Sequence, residues 1–88
     1  MTFMVIELFK HGDAKRVGER FQHKGRMLPE GVTYIASWMQ TDGSRCFQLM
    51  EAADPEALAQ WMKRWDDLVN FEAFPVVTSS EFWARPAS

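Results

Sequence analysis

The chain has 88 residues, 47% of them hydrophobic and 14% aromatic, with 10 Lys and Arg against 12 Asp and Glu and a formal net charge of −2. That length makes one domain, the apolar content excludes general disorder, and the weak negative balance gives no footprint for phosphate backbones or anionic lipid, so neither nucleic acid nor a membrane is an expected partner. No apolar run approaches the roughly 20 residues that cross a bilayer, MTFMVIELF lacks the basic start and cleavage site of a signal peptide, and a single cysteine, Cys46, fits a cytoplasmic setting.

Phe3 to Phe9 is a β-branched and aromatic run closed by Lys10-His11-Gly12, which predicts a strand and a turn. Asp13 is placed to cap the helix that follows, where Val17, Phe21 and eventually Leu28 form a thin apolar stripe among Lys15, Arg16, Glu19, Arg20 and Lys24. Gly25 weakens its last turn, and Leu28-Pro29-Glu30-Gly31 ends it. Thr33 to Gln40 and Arg45 to Ala52 are strand-like runs around Thr41-Asp42-Gly43-Ser44, and Asp-Gly at the tip predicts a two-residue type I′ turn. Asp54-Pro55-Glu56 supplies the cap, first-turn proline and favourable charge of a second helix, whose stripe of Leu58, Trp61, Met62, Trp65 and Leu68 is the clearest amphipathic pattern in the chain. Val69 to Thr78 closes the series as a fourth strand, with Pro75 suiting an edge or a bulge.

The order β-α-β-β-α-β predicts an α+β, ferredoxin-like domain over residues 1–78, with a four-stranded antiparallel sheet and two helices on one face. Residues 79–88 form a tail whose Phe82 and Trp83 are unusual in a solvated terminus, so it is expected to dock, with a partner subunit as one candidate surface.

With Asp42 and Gly43 as the loop, the hairpin pairs Met39 with Cys46, Trp38 with Phe47, Ser37 with Gln48, Ala36 with Leu49 and Ile35 with Met50. Trp38, Phe47, Ala36 and Leu49 share a strongly apolar face, assigned to the helices, and Met39, Cys46, Ser37, Gln48, Ile35 and Met50 share the mixed face opposite. In the first strand Met4, Ile6 and Leu8 oppose Phe3, Val5, Glu7 and Phe9, and Glu7 joins Gln48 and Ser37 on the open face. Two helices cover only one side of such a sheet. The other side is too apolar for water, which predicts a homodimer joined through the open sheet face, with a chamber between the two sheets.

Several segments are similar to a known family: the opening FMVIE, then KGRMLPEGVTYIASW, RCFQLMEAADP and WMKRWDDLVNFEAFPVVTS. They resemble small bacterial proteins grouped only as a domain of unknown function, within the dimeric α/β-barrel group of ferredoxin-like folds. The resemblance implies face-to-face pairing of two sheets around a cavity. The wider group includes cofactor-independent quinol-forming monooxygenases, lactone isomerases, haem-dependent enzymes and stress-responsive proteins, so fold membership does not select a reaction.

Glu7, Ser37 and Gln48 are the candidate ligand-binding residues, with Glu7 as a base or acceptor whose pKa apolar neighbours raise. The competing structural reading pairs Glu7 with an Arg or a backbone donor across the interface and lets Gln48 and Ser37 satisfy each other. His11 and His23 are not at metal-ligand spacing, Cys46 lacks the neighbours of an activated thiol, and Trp61 and Trp65 read as core; no metal or cofactor is expected. The Lys63-Arg64 and Asp66-Asp67 pairs read as a solvated helix face. There is no phosphate loop, Ser-x-x-Lys or nucleophile elbow. Three readings follow: a cytoplasmic homodimer binding a small apolar or aromatic molecule, a cofactor-independent monooxygenase or isomerase with Glu7, Ser37, Gln48 or Tyr34 handling protons, and a structural or interaction dimer.

Overall fold

Strand β1 (Thr2–Phe9) runs into one turn of 3-10 helix at Lys10–Gly12, and Asp13 then caps helix α1 (Ala14–Lys24) by accepting the Arg16 N–H at 3.2 Å. This computed structural model describes residues 1–86; positions 87 and 88 of the expected tail lie outside the described residues. Helix α1 stops earlier than its stripe predicts. Gly25 takes a left-handed φ of 65° and donates its N–H to the Phe21 carbonyl at 2.7 Å, so Leu28 falls in the following loop.

Strands β2 (Val32–Met39) and β3 (Arg45–Ala52) form the expected hairpin, and Asp54, with Pro55 behind it, caps α2 (Pro55–Lys63) by accepting the Ala57 N–H at 2.8 Å. Strand β4 (Val69–Val76) is two residues shorter than predicted, because Thr78 instead caps a short helix α3 (Ser79–Trp83). All pairings are antiparallel and the strand order is β2-β3-β1-β4, with Pro75 on an edge strand as its missing donor requires. The chain has the α+β ferredoxin-like topology, a four-stranded antiparallel sheet with helices α1 and α2 packed on one side.

Four hairpin pairs match the predicted register, Met39–Cys46, Trp38–Phe47, Ser37–Gln48 and Ala36–Leu49. The fifth does not. A bulge at Ile35 brings Tyr34 opposite Met50, so Ile35 leaves the ladder and turns half-exposed. The turn also differs: Gly43 alone has a positive φ (76°), and its N–H returns to the Gln40 carbonyl at 2.8 Å. Asp42 keeps an ordinary backbone because its carboxylate is engaged locally, accepting the Ser44 N–H at 2.9 Å and the Ser44 hydroxyl at 2.6 Å.

The assignment of the two sheet faces is reversed. Phe3, Val5, Cys46, Met50 and Ala52 are the residues buried beneath α2, whose Leu58 and Trp61, followed by Trp65, complete the core. Trp38, Phe47, Leu49 and Ala36 lie on the open face, where Trp38 is 57% exposed. The physical reason is volume. Two tryptophans descending from α2 and the turn after it need small or unbranched partners, which Val5, Cys46, Met50 and Ala52 provide and a row of Trp and Phe does not.

Candidate functional site

Helix α1 lies over the sheet without a single buried residue. Its Arg20 holds it to the turn after α2, donating to both Asp67 carboxylate oxygens at 2.7 and 2.6 Å and to the Arg64 carbonyl at 3.2 Å. A polar latch therefore adds to the partial packing of Ala14 and Val17 against the core. The space left between α1 and the sheet is a chamber of about 260 Å³, lined from α1 by Ala14, Val17, Gly18 and Phe21, from the sheet by Glu7, Phe9, Ser37, Cys46 and Gln48, and from α2 and its following turn by Trp61 and Trp65. Met39, half-exposed on the edge strand β2, and Arg26 complete the rim.

All three predicted site residues meet in this chamber. Ser37 stands directly opposite Gln48, and Glu7 stands opposite Cys46, one pair further along the same face. Their location corrects the expectation: they lie between the sheet and its own helices, within one subunit, and not on the open face between two sheets. Polarity misleads here, because the polar residues line a cavity that the helices cover but do not fill.

Glu7 is 7% exposed and Gln48 5%. Burial pushes the Glu7 carboxyl up from its ordinary 4.5 to about 7, against the opposing pull of the Arg26 charge and of hydrogen-bonding contacts from Cys46 and Gln48. Neither Glu7 nor Arg26 makes an ion pair within 4 Å among the described residues. The Cys46 thiol is pushed up to about 11, by burial first and then by the Glu7 charge, which makes it a poor nucleophile. Ser37 shares a 2.8 Å hydrogen bond with the Tyr34 hydroxyl instead of pairing with Gln48. A carboxyl poised near neutrality beside a cavity can take a proton from a bound molecule or return one.

Arg26 is the site residue that sequence reasoning does not find. Its guanidinium carbon sits 3.6 Å from the Tyr34 ring centroid and its Nε donates to Gln48 Oε1 at 3.4 Å. The indole N–H groups of Trp61 and Trp65 both donate to the Arg26 carbonyl at 3.0 Å, and Arg64 Nη1 donates to the Met27 carbonyl at 2.8 Å. Met27 accepts a left-handed φ of 57° in this pinned loop. Two buried indoles need acceptors, and that is the only signal the sequence offers; it does not say that residue 26 supplies them.

His11 and His23 are both exposed and separate from the chamber, and among the described residues no group of three or more His, Cys, Asp and Glu side chains converges. Among those residues no helix is long and apolar enough to cross a membrane.

The latch gives a direct prediction. Arg20→Met is expected to speed hydrogen exchange in α1 several-fold while leaving the sheet protected, with little global cost because the Asp67 partner is largely exposed. Unchanged α1 protection would mean that Val17 and Phe21 hold the helix by themselves.

No curated protein matches the chain closely enough to lend it a function. Residues 1–86 match the family model described as a domain of unknown function (DUF3303), and the chain belongs to that family.

Proposed function

We propose that this chain is a cytoplasmic small-molecule binding protein that encloses an aromatic or apolar ligand in the chamber beneath α1 and works as a homodimer joined through the open sheet face. The observation that carries the binding role is the buried, unpaired Glu7 at a cavity of about 260 Å³ with walls of Phe9, Phe21, Trp61 and Trp65. That volume is close to the lower end of small-molecule sites, roughly 300–1,000 Å³, and suits one or two fused rings. A buried carboxyl that feels the Arg26 charge but forms no ion pair among the described residues costs stability when ionised, which a structural role alone does not repay.

The dimer is supported by the composition of the open face. Trp38, Phe47 and Ile6 form one cross-strand row, which ends at the exposed Glu72, and Ala36, Leu49, Met4 and Phe74 form the next. Arg45, Glu51, Asn70 and Glu72 border these two rows on the same face, and large apolar side chains rimmed by polar ones mark interaction surfaces.

A second reading, a cofactor-independent monooxygenase or isomerase, is favoured by one specific feature, the Glu7 carboxyl held at about 7 where it suits general acid–base work at neutral pH. It uses the same chamber.

Gly18 provides the test. It lines the chamber from α1, has no left-handed backbone, and a Cβ built on it meets nothing within 4 Å. Gly18→Leu is expected to fill the cavity while leaving the melting temperature unchanged or raising it, since a glycine inside a helix costs about 1 kcal/mol relative to better helix formers. In the parent protein 2-naphthol should shift the indole N–H resonances of Trp61 and Trp65, and in Gly18→Leu it should not. Equal shifts in both proteins would remove the chamber as the binding site.

A further inference from the structure

Resting on the chamber as the ligand site, we infer that its ligand is an aromatic carboxylate, bound with the carboxylate on the Arg26 guanidinium and the ring among Phe21, Trp61 and Trp65.

Of the residues that line the chamber, only Glu7 and Arg26 carry formal charge, and they do not pair. A direct Arg–Glu contact would satisfy both groups. The fold instead holds Arg26 against the Tyr34 ring, 3.6 Å from its centroid, with the Phe21 ring centroid 5.1 Å away. A guanidinium placed over a ring keeps its N–H edge free, and that edge matches the two oxygens of a carboxylate. Here Nε is turned to Gln48, while Nη1 and Nη2 donate to no protein acceptor among the described residues.

The backbone at this point is unusually well fixed. Two indole N–H groups close on the Arg26 carbonyl and Arg64 closes on the next one, so the side chain starts from a set position. A flexible surface arginine would not need two buried indoles as donors at its base. Such a fixed cation reduces the ordering cost of binding.

Glu7 sets the condition for occupancy. The groups that face it are Arg26 from the loop after α1 and Cys46 and Gln48 from β3, with Ser37 and its hydrogen-bonded Tyr34 on β2, while α1, β4, α2 and the turn after it present only Ala14, Val17, Gly18, Phe21, Phe71, Trp61 and Trp65, none of them charged. An ionised Glu7 repels a carboxylate in the same cavity. Protonated Glu7 does not, and its hydroxyl can donate to the ligand. Binding of an aromatic carboxylate is therefore expected to weaken as pH rises through about 7, even though the ligand itself stays ionised throughout.

The test uses 2-naphthoate and the neutral 2-naphthamide, read by the Trp61 and Trp65 indole resonances of the full chain. At pH 6 the carboxylate is expected to bind roughly tenfold more tightly than the amide. Arg26→Met should abolish that preference while leaving amide binding in place, and Arg26→Lys should retain part of it. Equal affinity for the two probes, or a preference that survives Arg26→Met, overturns the inference and leaves the chamber intact as a site for neutral molecules. If neither probe moves either indole, the chamber reading falls and the carboxylate inference falls with it.

Discussion

Replacing Glu7 with glutamine is expected to raise the melting temperature at pH 8 by on the order of 10 °C and to change it little at pH 4. In the folded chain the Glu7 carboxyl lies at about 7, above its ordinary 4.5, so the folded state binds the proton more tightly than the unfolded state does. The stability that Glu7 contributes is complete below about 4.5, is lost progressively as pH rises toward about 7, and is gone above that. The gap corresponds to roughly 3 kcal/mol between the two limits. For a domain of this size each kcal/mol moves the midpoint by about 4–8 °C.

Glutamine keeps the shape and hydrogen-bonding capacity of the protonated acid and cannot ionise, so the variant should show no Glu7-dependent slope between pH 5 and 8. Thermal unfolding of both proteins across that range decides it. A difference between them that stays constant with pH would mean that Glu7 titrates as an ordinary solvated carboxyl, and its proposed part in proton transfer would go with it. The same variant separates stability from function. A protein that gains stability on losing a charge is one in which the charge was retained for another reason.

Much of the fold is legible in the residues, and the reasons are local. Asp13, Asp54 and Pro55 start the two main helices where the sequence places them, since caps act within three residues. The hairpin register follows from loop chemistry even though the loop type differs, because either turn brings Met39 opposite Cys46. The bulge at Ile35 is not legible, as no glycine or proline marks it.

The choice of face is the larger miss. Counting apolarity favours the row with Trp38 and Phe47 for the helices, whereas fitting Trp61 and Trp65 against a sheet favours the row with Val5, Cys46 and Ala52. Both faces carry large apolar side chains together with polar ones, so hydrophobicity cannot choose between them and volume does. The grouping of Glu7, Ser37 and Gln48 survives because side-chain alternation in strands is indifferent to which face is covered. Arg26 is absent from that grouping because it lies on a loop whose path is set by long-range donors 35 and 39 residues away.

The reversal of faces strengthens the expectation of a dimer. Four strands of eight residues present a face of roughly 19 by 27 Å at the usual strand spacing and rise, on the order of 500 Å² in projection. Side-chain relief and the adjoining α3 extend this toward the roughly 800 Å² per partner of a stable interface. Helix α3 projects Phe82 and Trp83, the latter 79% exposed, beside a groove bordered by Met4, Leu49, Val76 and Val77. In a two-fold dimer each such groove faces the partner, and every residue on the axis meets its own copy.

Leu49→Glu is therefore expected to convert a dimer into a monomer at micromolar concentration, because it sets two carboxylates into one apolar interface. Leu49→Met, similar in volume and apolar, should leave the dimer intact. Sedimentation equilibrium reads both. The parent protein's melting temperature should also rise with protein concentration, and that of Leu49→Glu should not. A parent chain that sediments as a monomer, with a melting temperature independent of concentration, would mean that the open face is not a subunit interface. Because Glu7 and Arg26 lie beneath α1 on the opposite side of the sheet, such a result would leave the chamber and its proposed carboxylate ligand untouched.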